Sequence, residues 1–276
     1  MKYKINAAVL CGLAIGLLGW SCSHEKEEPI VVKPEPQKLR IEKITSGTES
    51  AQAYAYNAQG LIVRFTSHWV YPNSTSDANA VIEYDSLSRV SKITDNGSNA
   101  ILFFYRGNIL DKTEEHDHRN RLSVSHFYLF SNEGRLLEVL DQVHDADSST
   151  KDYFIKNRYE YDQNSNVMLV KSSISRAVGE KFAEWLEVRY EEYDTKLNPD
   201  PGFINYPFVG GKSMRLNNAG KITVRDMKTQ SIVSVQHNSY TYNSQGYPIR
   251  KVQELSSAGA RTKTTLDYHY SEYQKK

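Results

Sequence analysis

The densest group of side chains able to hold a metal is Glu114-Glu115-His116-Asp117-His118. On an extended segment His116 and His118 share a face, so two imidazoles could meet one cation. No third histidine stands at a partner spacing, and the composition better suits a solvated hairpin loop following the strand at Ile109–Asp111. The pair is a weak metal candidate, and no cofactor is expected. Nucleophilic catalysis needs a serine, a histidine and an acid brought together, and the nucleophile-elbow signature Gly-x-Ser-x-Gly is missing. There is no phosphate-binding loop, dinucleotide fingerprint or calcium loop. A carboxylate pair for glycoside hydrolysis is not readable here, because spacing along a chain does not fix distance across a sheet. No residue is assigned a catalytic role, and the chain is expected not to be an enzyme.

Aromatic side chains offer a second kind of chemistry. Residues 199–211, PDPGFINYPFVGG, form a proline- and glycine-rich break carrying Phe203, Tyr206 and Phe208. Aromatics in such a segment suit sugar rings or a partner groove. They equally suit a loop that caps an open edge. Trp69 and Tyr71, two apart before Pro72, are placed to form a stacking platform or to pack at an edge. Trp69, Tyr71, Phe203, Tyr206 and Phe208 are the candidate ligand contacts.

The elements that must position these residues are set by composition and by the chain's start. Of 276 residues, 19 are tyrosine against 9 phenylalanine and 3 tryptophan. Tyrosine suits half-buried pleated surfaces, where the ring packs and the hydroxyl stays wet. The formal charge is +1, and no basic stripe exists of the sort nucleic acid requires. Lys2 and Lys4 precede an apolar run, residues 5–19, that is short for a membrane-spanning helix and right for a secretory leader. Gly19-Trp20-Ser21-Cys22 follows and resembles a lipobox, with Gly19 where leucine is usual. Cys22 is thus the expected lipidation site. Cys11 leaves with the leader, so the mature domain gains nothing from a disulfide. Ser23-His24-Glu25-Lys26-Glu27-Glu28 is similar to the surface-export tag of Bacteroidetes lipoproteins. Residues 29–38 hold three prolines and read as a tether.

From there one pattern recurs. Tyr54-Ala55-Tyr56-Asn57-Ala58-Gln59-Gly60-Leu61 returns as Tyr240-Thr241-Tyr242-Asn243-Ser244-Gln245-Gly246-Tyr247. Between them lie related turns at Tyr84-Asp85, Phe130-Ser131, Tyr161-Asp162, Tyr193-Asp194 and Leu216-Asn217, and a shortened one at Tyr105-Arg106-Gly107. In each, a strand ends in an aromatic, Asn or Asp opens a turn, and a later Gly takes positive φ. Ser88 and Ser165 stand in two of the glycine positions. Tyr190 and Tyr193, three apart where other pairs are two apart, suggest a β-bulge. The pattern resembles the YD repeats of Rhs-type proteins and, more closely, Bacteroidetes surface lipoproteins of uncharacterised function built from such hairpins.

The expected fold is all-β: a long antiparallel meander of hairpins forming one strongly twisted, curled sheet, with a two-sheet sandwich as the alternative. The expected organisation is a leader over 1–21, a lipid-anchored tether over 22–38 and a hairpin domain over 39–276. The resemblance implies an outer-membrane, lipid-anchored protein facing the cell exterior. The expected role is non-enzymatic binding of a glycan or another envelope component. Alternatives are a scaffold pairing with an outer-membrane protein, and a hydrolase on a β-repeat scaffold.

Overall fold

A computed structural model describes residues 39–71, 74–95, 99–144, 152–176, 179–199, 207–209 and 214–272. The leader, the tether, Cys22, Phe203 and Tyr206 lie outside the described residues, as does the side chain of Tyr71.

The predicted turns share one chemistry. The Asn57 side-chain oxygen accepts from the amides of Gln59 and Leu61 at 3.0 Å each, and Gly60 sits at φ +81°. Asp85, Ser131, Asp162 and Asn243 open their turns in the same way. Ser88 and Ser165 adopt φ +59° and +63° in place of glycine, a left-handed backbone that costs a side-chain-bearing residue about 1–2 kcal/mol. The bulge expected before Tyr193 is not formed: Glu192 takes φ +58°, but the pairs on either side, Glu191–Lys221 and Tyr193–Ala219, stay in one register, with Gly220 opposite Glu192.

Two of the sequence copies are one hairpin. Asp194 accepts from the amide of Asn218, and its own amide donates to the Asn218 carbonyl. Asp162 and Asn166 make the same two bonds in an uninterrupted turn. The stretch between Asp194 and Asn218 is therefore a long insertion within a standard turn.

The strands are β1 (Leu39–Ser46), β2 (Ser50–Tyr56), β3 (Ile62–Tyr71), β4 (Ser74–Tyr84), β5 (Val90–Asp95), β6 (Asn99–Arg106), β7 (Ile109–His116) and β8 (Leu122–Phe130). They continue as β9 (Leu136–Val143), β10 (Tyr153–Tyr161), β11 (Val167–Ser175), β12 (Ala183–Tyr193), β13 (Ala219–Asp226), β14 (Ile232–Tyr242), β15 (Pro248–Ser257) and β16 (Ala260–Glu272). Each pairs antiparallel with its neighbour in sequence.

The expectation of an open curled sheet, and of a sandwich as its alternative, is overturned. β1 pairs with β16 from Leu39–Glu272 through Thr45–Asp267, so the sheet closes into a sixteen-stranded antiparallel barrel. Nor do the hairpins stack as an open-ended array. The physical reason is the edge: an open meander leaves two strands with unpaired amides and carbonyls, and closure satisfies both at once.

The tyrosine turns all lie at one end, here the tyrosine end, and β1 starts there. The connections after odd-numbered strands form the far end. The anchor tyrosines latch neighbouring hairpins together through backbone carbonyls. Tyr84 donates to Ile62 at 2.7 Å, Tyr105 to Val90 at 2.8 Å, Tyr161 to Leu136 at 2.8 Å and Tyr270 to Pro248 at 2.7 Å. Tyr56 and Tyr193 bond in the same way to Ile41 and Val167. Burial pushes the Tyr84, Tyr105 and Tyr161 hydroxyls up to about 12.

A barrel this wide leaves an open lumen unless something fills it. Here the tyrosine half is filled. Ile41, Tyr54, Ile62, Phe65, Ile82, Val90, Ile93 and Phe103 form one buried cluster. Leu136, Val139, Tyr159 and Val167 form another, which includes Val209 of the insertion. Phe208 packs on the first cluster, and Tyr128 donates to the Pro207 carbonyl at 2.7 Å. Pro207–Val209 thus lies inside the barrel, joining the two clusters.

Candidate functional site

At the far end the lumen changes character. β14, β15, β16 and β1 to β4 form a continuous arc of wall. Strand alternation carries the inward face from the buried Phe65 and Ala80 out to Ser67, Trp69 and Ser76. On the other side of the arc it runs from Tyr240 to Asn238 and Gln236, from Lys251 to Gln253, and from Leu266 to Thr264 and Thr262. Ser76, Thr262 and Thr264 are exposed, and Trp69 is half-buried. The Gln236 amide donates to Asn238, which donates to the Ala219 carbonyl, at 2.8 and 2.9 Å. Among the described residues, the inward positions along the upper part of this arc are neutral. The wall is made mostly of hydroxyls and carboxamides, with the Trp69 indole, Ala78 and Leu255 as its apolar members.

The floor of this cup is a cavity of about 170 Å³, lined by Gln52, Tyr54, Arg215, Tyr240, Lys251 and Tyr268 among others. The Lys251 ammonium stands over the Tyr240 ring at 5.8 Å. Burial raises the Tyr240 hydroxyl to about 12. Tyr240 therefore stays neutral at ordinary pH and serves as a hydrogen-bonding and stacking surface.

The opposite wall holds a buried charge cluster. His126 bonds Asp141 through Nδ1 and Glu115 through Nε2, each at 2.8 Å. Asn157 donates to Asp141 at 3.3 Å and accepts from Ser172 at 2.6 Å. Burial alone would push the His126 imidazole down. The bonds and charges of Asp141 and Glu115 outweigh it and raise the imidazole to about 9, so it is held as a cation between two carboxylates. Phe208 meets this imidazole edge-on, with ring centres 5.6 Å apart. Glu115 and Asp141 are thereby committed to one imidazole, not arranged as an acid and a base facing the lumen. Phe208 also lines a cavity of about 380 Å³ with Ile93, Asp95, Asn99, Ile101 and Glu115. Trp69 is not in that lining, so the structure does not bring these two candidate contacts together.

His116 and His118 are separated by their backbone. Asp117 opens the β7–β8 turn, accepting from the amides of Arg119 and Arg121 at 2.9 Å each. The Arg121 amide foremost holds its carboxyl down to about 2. Asn120, at φ +59°, fills the glycine position. His116 points to Glu114 and the Asn120 carbonyl, and His118 is exposed in the turn. Among the described residues, no group of three or more metal-binding side chains is assembled. The spacing Asp117-x-x-Asn120-Arg121 matches Asp85-x-x-Ser88-Arg89, which is the signal that would have identified this stretch as a further turn.

One arrangement was invisible in the sequence. Ser125 Oγ lies 3.2 Å from His144 Nε2, and His144 Nδ1 lies 3.1 Å from Asp152. This is the order of a Ser-His-Asp triad. Ser125 is buried, however, and the strand amides around it serve the β7–β8 and β8–β9 ladders. Among the described residues no free amide pair stands beside the hydroxyl as an oxyanion site, and the chain of bonds ties β8 to the β9–β10 connection.

The outer wall is charged along its length. Cross-strand pairs include Glu138–Arg158 at 2.9 Å, Glu160–Lys171 at 2.9 Å, Glu191–Lys221 at 3.1 Å, Arg250–Asp267 at 2.6 Å and Glu254–Lys263 at 2.9 Å. A barrel that spans a bilayer is apolar outside, and an outward Lys or Arg at the midplane costs it roughly 2–4 kcal/mol. This barrel instead carries charge pairs along its outer wall and packs its apolar clusters inside the tyrosine half. Its wall is built for water.

No family model matches the chain, and no curated protein matches it. Solved structures do. A porin-like protein from Bacteroides uniformis matches at 12% identity and TM-score 0.55, covering 84% of this chain and 96% of its own. A porin-like protein from Bacteroides vulgatus matches at 14% identity and TM-score 0.48, with 84% and 99% covered. The first likeness establishes a shared barrel architecture.

Proposed function

We propose that the protein is a non-enzymatic binding module of the bacterial outer membrane, anchored by lipid on Cys22 and taking a neutral glycan, or an envelope component of like chemistry, into the open far end of its barrel. The observation that carries this reading is the neutral wall of Ser67, Ser76, Gln236, Asn238, Gln253, Thr262 and Thr264 around Trp69. Hydroxyls and amides exchange hydrogen bonds with sugar hydroxyls without the cost of stripping water from a charge, and an indole face stacks on a sugar ring. The charged outer wall supports attachment through a lipid in place of spanning strands. The porin-like description of the Bacteroides uniformis neighbour supports an envelope setting.

The test is a glycan array probed with residues 22–276 carrying Cys22→Ser. Binding to a neutral oligosaccharide, lost in Trp69→Ala and retained in His118→Ala, is the expected result. A blank array sinks the glycan assignment. Metabolic labelling with a fatty-acid analogue, absent from a Cys22→Ser chain, tests the anchor separately.

A further inference from the structure

The tyrosine end carries a rim of exposed apolar side chains that the binding reading does not use. Leu87, in the turn after β4, and Ile109, at the start of β7, are 63% and 60% exposed. Leu129 at the end of β8 and Leu216 in the β12–β13 connection are 55% and 52% exposed. Leu137, Met168, Leu197 and Ile249 continue the rim at neighbouring turns, and Phe104 and Phe127 stand just above it on the outer wall. Lys112 lies over the Phe104 ring at 4.6 Å. Among the described residues the opposite end has fewer such side chains, Val70, Tyr153, Trp185, Ile232, Val233 and Leu255, and all but Ile232 are 42% exposed or less.

A rim this apolar is unexpected where water is the only neighbour. The chain itself indicates which neighbour it has. β1 begins at Leu39 on this same end, and Leu39 follows Cys22 by 17 residues. Even fully extended, that stretch spans at most about 60 Å. The end that the tether enters is the end that a membrane-held lipid would keep near the bilayer.

We propose that the tyrosine-end rim is a membrane-contact surface, whose leucine and isoleucine side chains enter the interfacial layer of the bilayer and hold the open far end away from it. The inference rests on the reading of Cys22 as lipidated. A lipid on Cys22 holds one point of the chain at the bilayer and leaves the barrel free to turn on its tether, so a second contact is what fixes its orientation. Exposed side chains on rigid turns enter the interface without reorganising the barrel.

The experiment separates the rim from the anchor. Residues 22–276 with Cys22→Ser, which no lipid can modify, are floated with vesicles of phosphatidylethanolamine and phosphatidylglycerol. The parent is expected to float. The combination Leu87→Ser, Ile109→Ser, Leu129→Ser and Leu216→Ser is expected to lower the partition by about tenfold or more, with an unchanged far-ultraviolet circular dichroism spectrum. Trp185→Ser with Ile232→Ser and Val233→Ser, at the other end, is expected to leave it unchanged. A parent that stays at the bottom of the gradient, or equal loss from both sets, overturns the proposal. So does a dimer in vesicle-free solution that the rim substitutions dissociate, because the rim would then join two copies. The mass of the wild-type chain from membranes reads Cys22 alone: an unmodified cysteine refutes the anchor whatever the vesicles show.

Discussion

His126 makes the fold sensitive to alkaline pH, and the size of the effect follows from its surroundings. The side chain is 4% exposed and bonded at both nitrogens to carboxylates. Its pKa rises from 6.5 to about 9, because Asp141 and Glu115 outweigh the opposing effect of burial. A histidine whose folded pKa exceeds its unfolded one stabilises the fold fully below pH 6.5 and loses that contribution as pH rises through about 9. At 1.36 kcal/mol per pH unit the loss is about 3 kcal/mol. The assay is urea unfolding followed by the fluorescence of Trp69 and Trp185, between pH 6 and 9.5. That ceiling stays below pH 10, where unfolded tyrosines ionise and the buried latches add their own loss. With a slope of about 3 kcal/mol per molar urea, the wild-type midpoint falls by about 1 M. His126→Gln removes the slope in this window. At pH 6 it also costs roughly 3–5 kcal/mol, because Asp141 stays buried without its cation. A wild-type midpoint level across the window, or a variant falling equally, refutes the reasoning.

Three further outcomes are expected. Tyr161→Phe removes the donor to the Leu136 carbonyl at 2.8 Å and lowers unfolding free energy by about 1 kcal/mol in the same urea assay. Ser165→Gly relieves a serine at φ +63° and raises stability by about 1 kcal/mol, since glycine enters that conformation freely. A fluorophosphonate probe leaves Ser125 unmodified by mass spectrometry, because Ser125 is buried and, among the described residues, no oxyanion site stands beside it; a labelled Ser125 would reopen the hydrolase reading.

How far the sequence carries is clearest in the turns. Asn57, Asp85, Asp162 and Asn243 bond their own backbones two and four residues on, and the contact needs nothing beyond the turn itself. The turn chemistry was therefore legible, including positive φ at Ser88 and Ser165, whereas the bulge expected before Tyr193 was not formed, because β12 and β13 stay in register there. Where a turn was interrupted, the local signal misled. Asp194 and Asn218 close one turn across an insertion and look like two copies when read along the chain. Asp117 to Arg121 is the hairpin loop that its composition suggested, built on the same turn chemistry, which the shorter repeat copies had not shown there.

By itself, the sequence determined that the described chain is all-β and built of hairpins closed by tyrosine-anchored turns, because those features depend on residues within one turn of each other. Tertiary structure alone decided that β1 meets β16, that Pro207–Val209 folds into the lumen, and that His126 lies between Glu115 and Asp141. Each joins segments with no local energetic tie. β1 and β16 gain only when the whole sheet has twisted far enough to bring both edges together, and Phe208 finds its place only in a lumen that closure creates. The same closure decides which face of every strand is inside, and so turns scattered serines, threonines and glutamines into one neutral wall around Trp69.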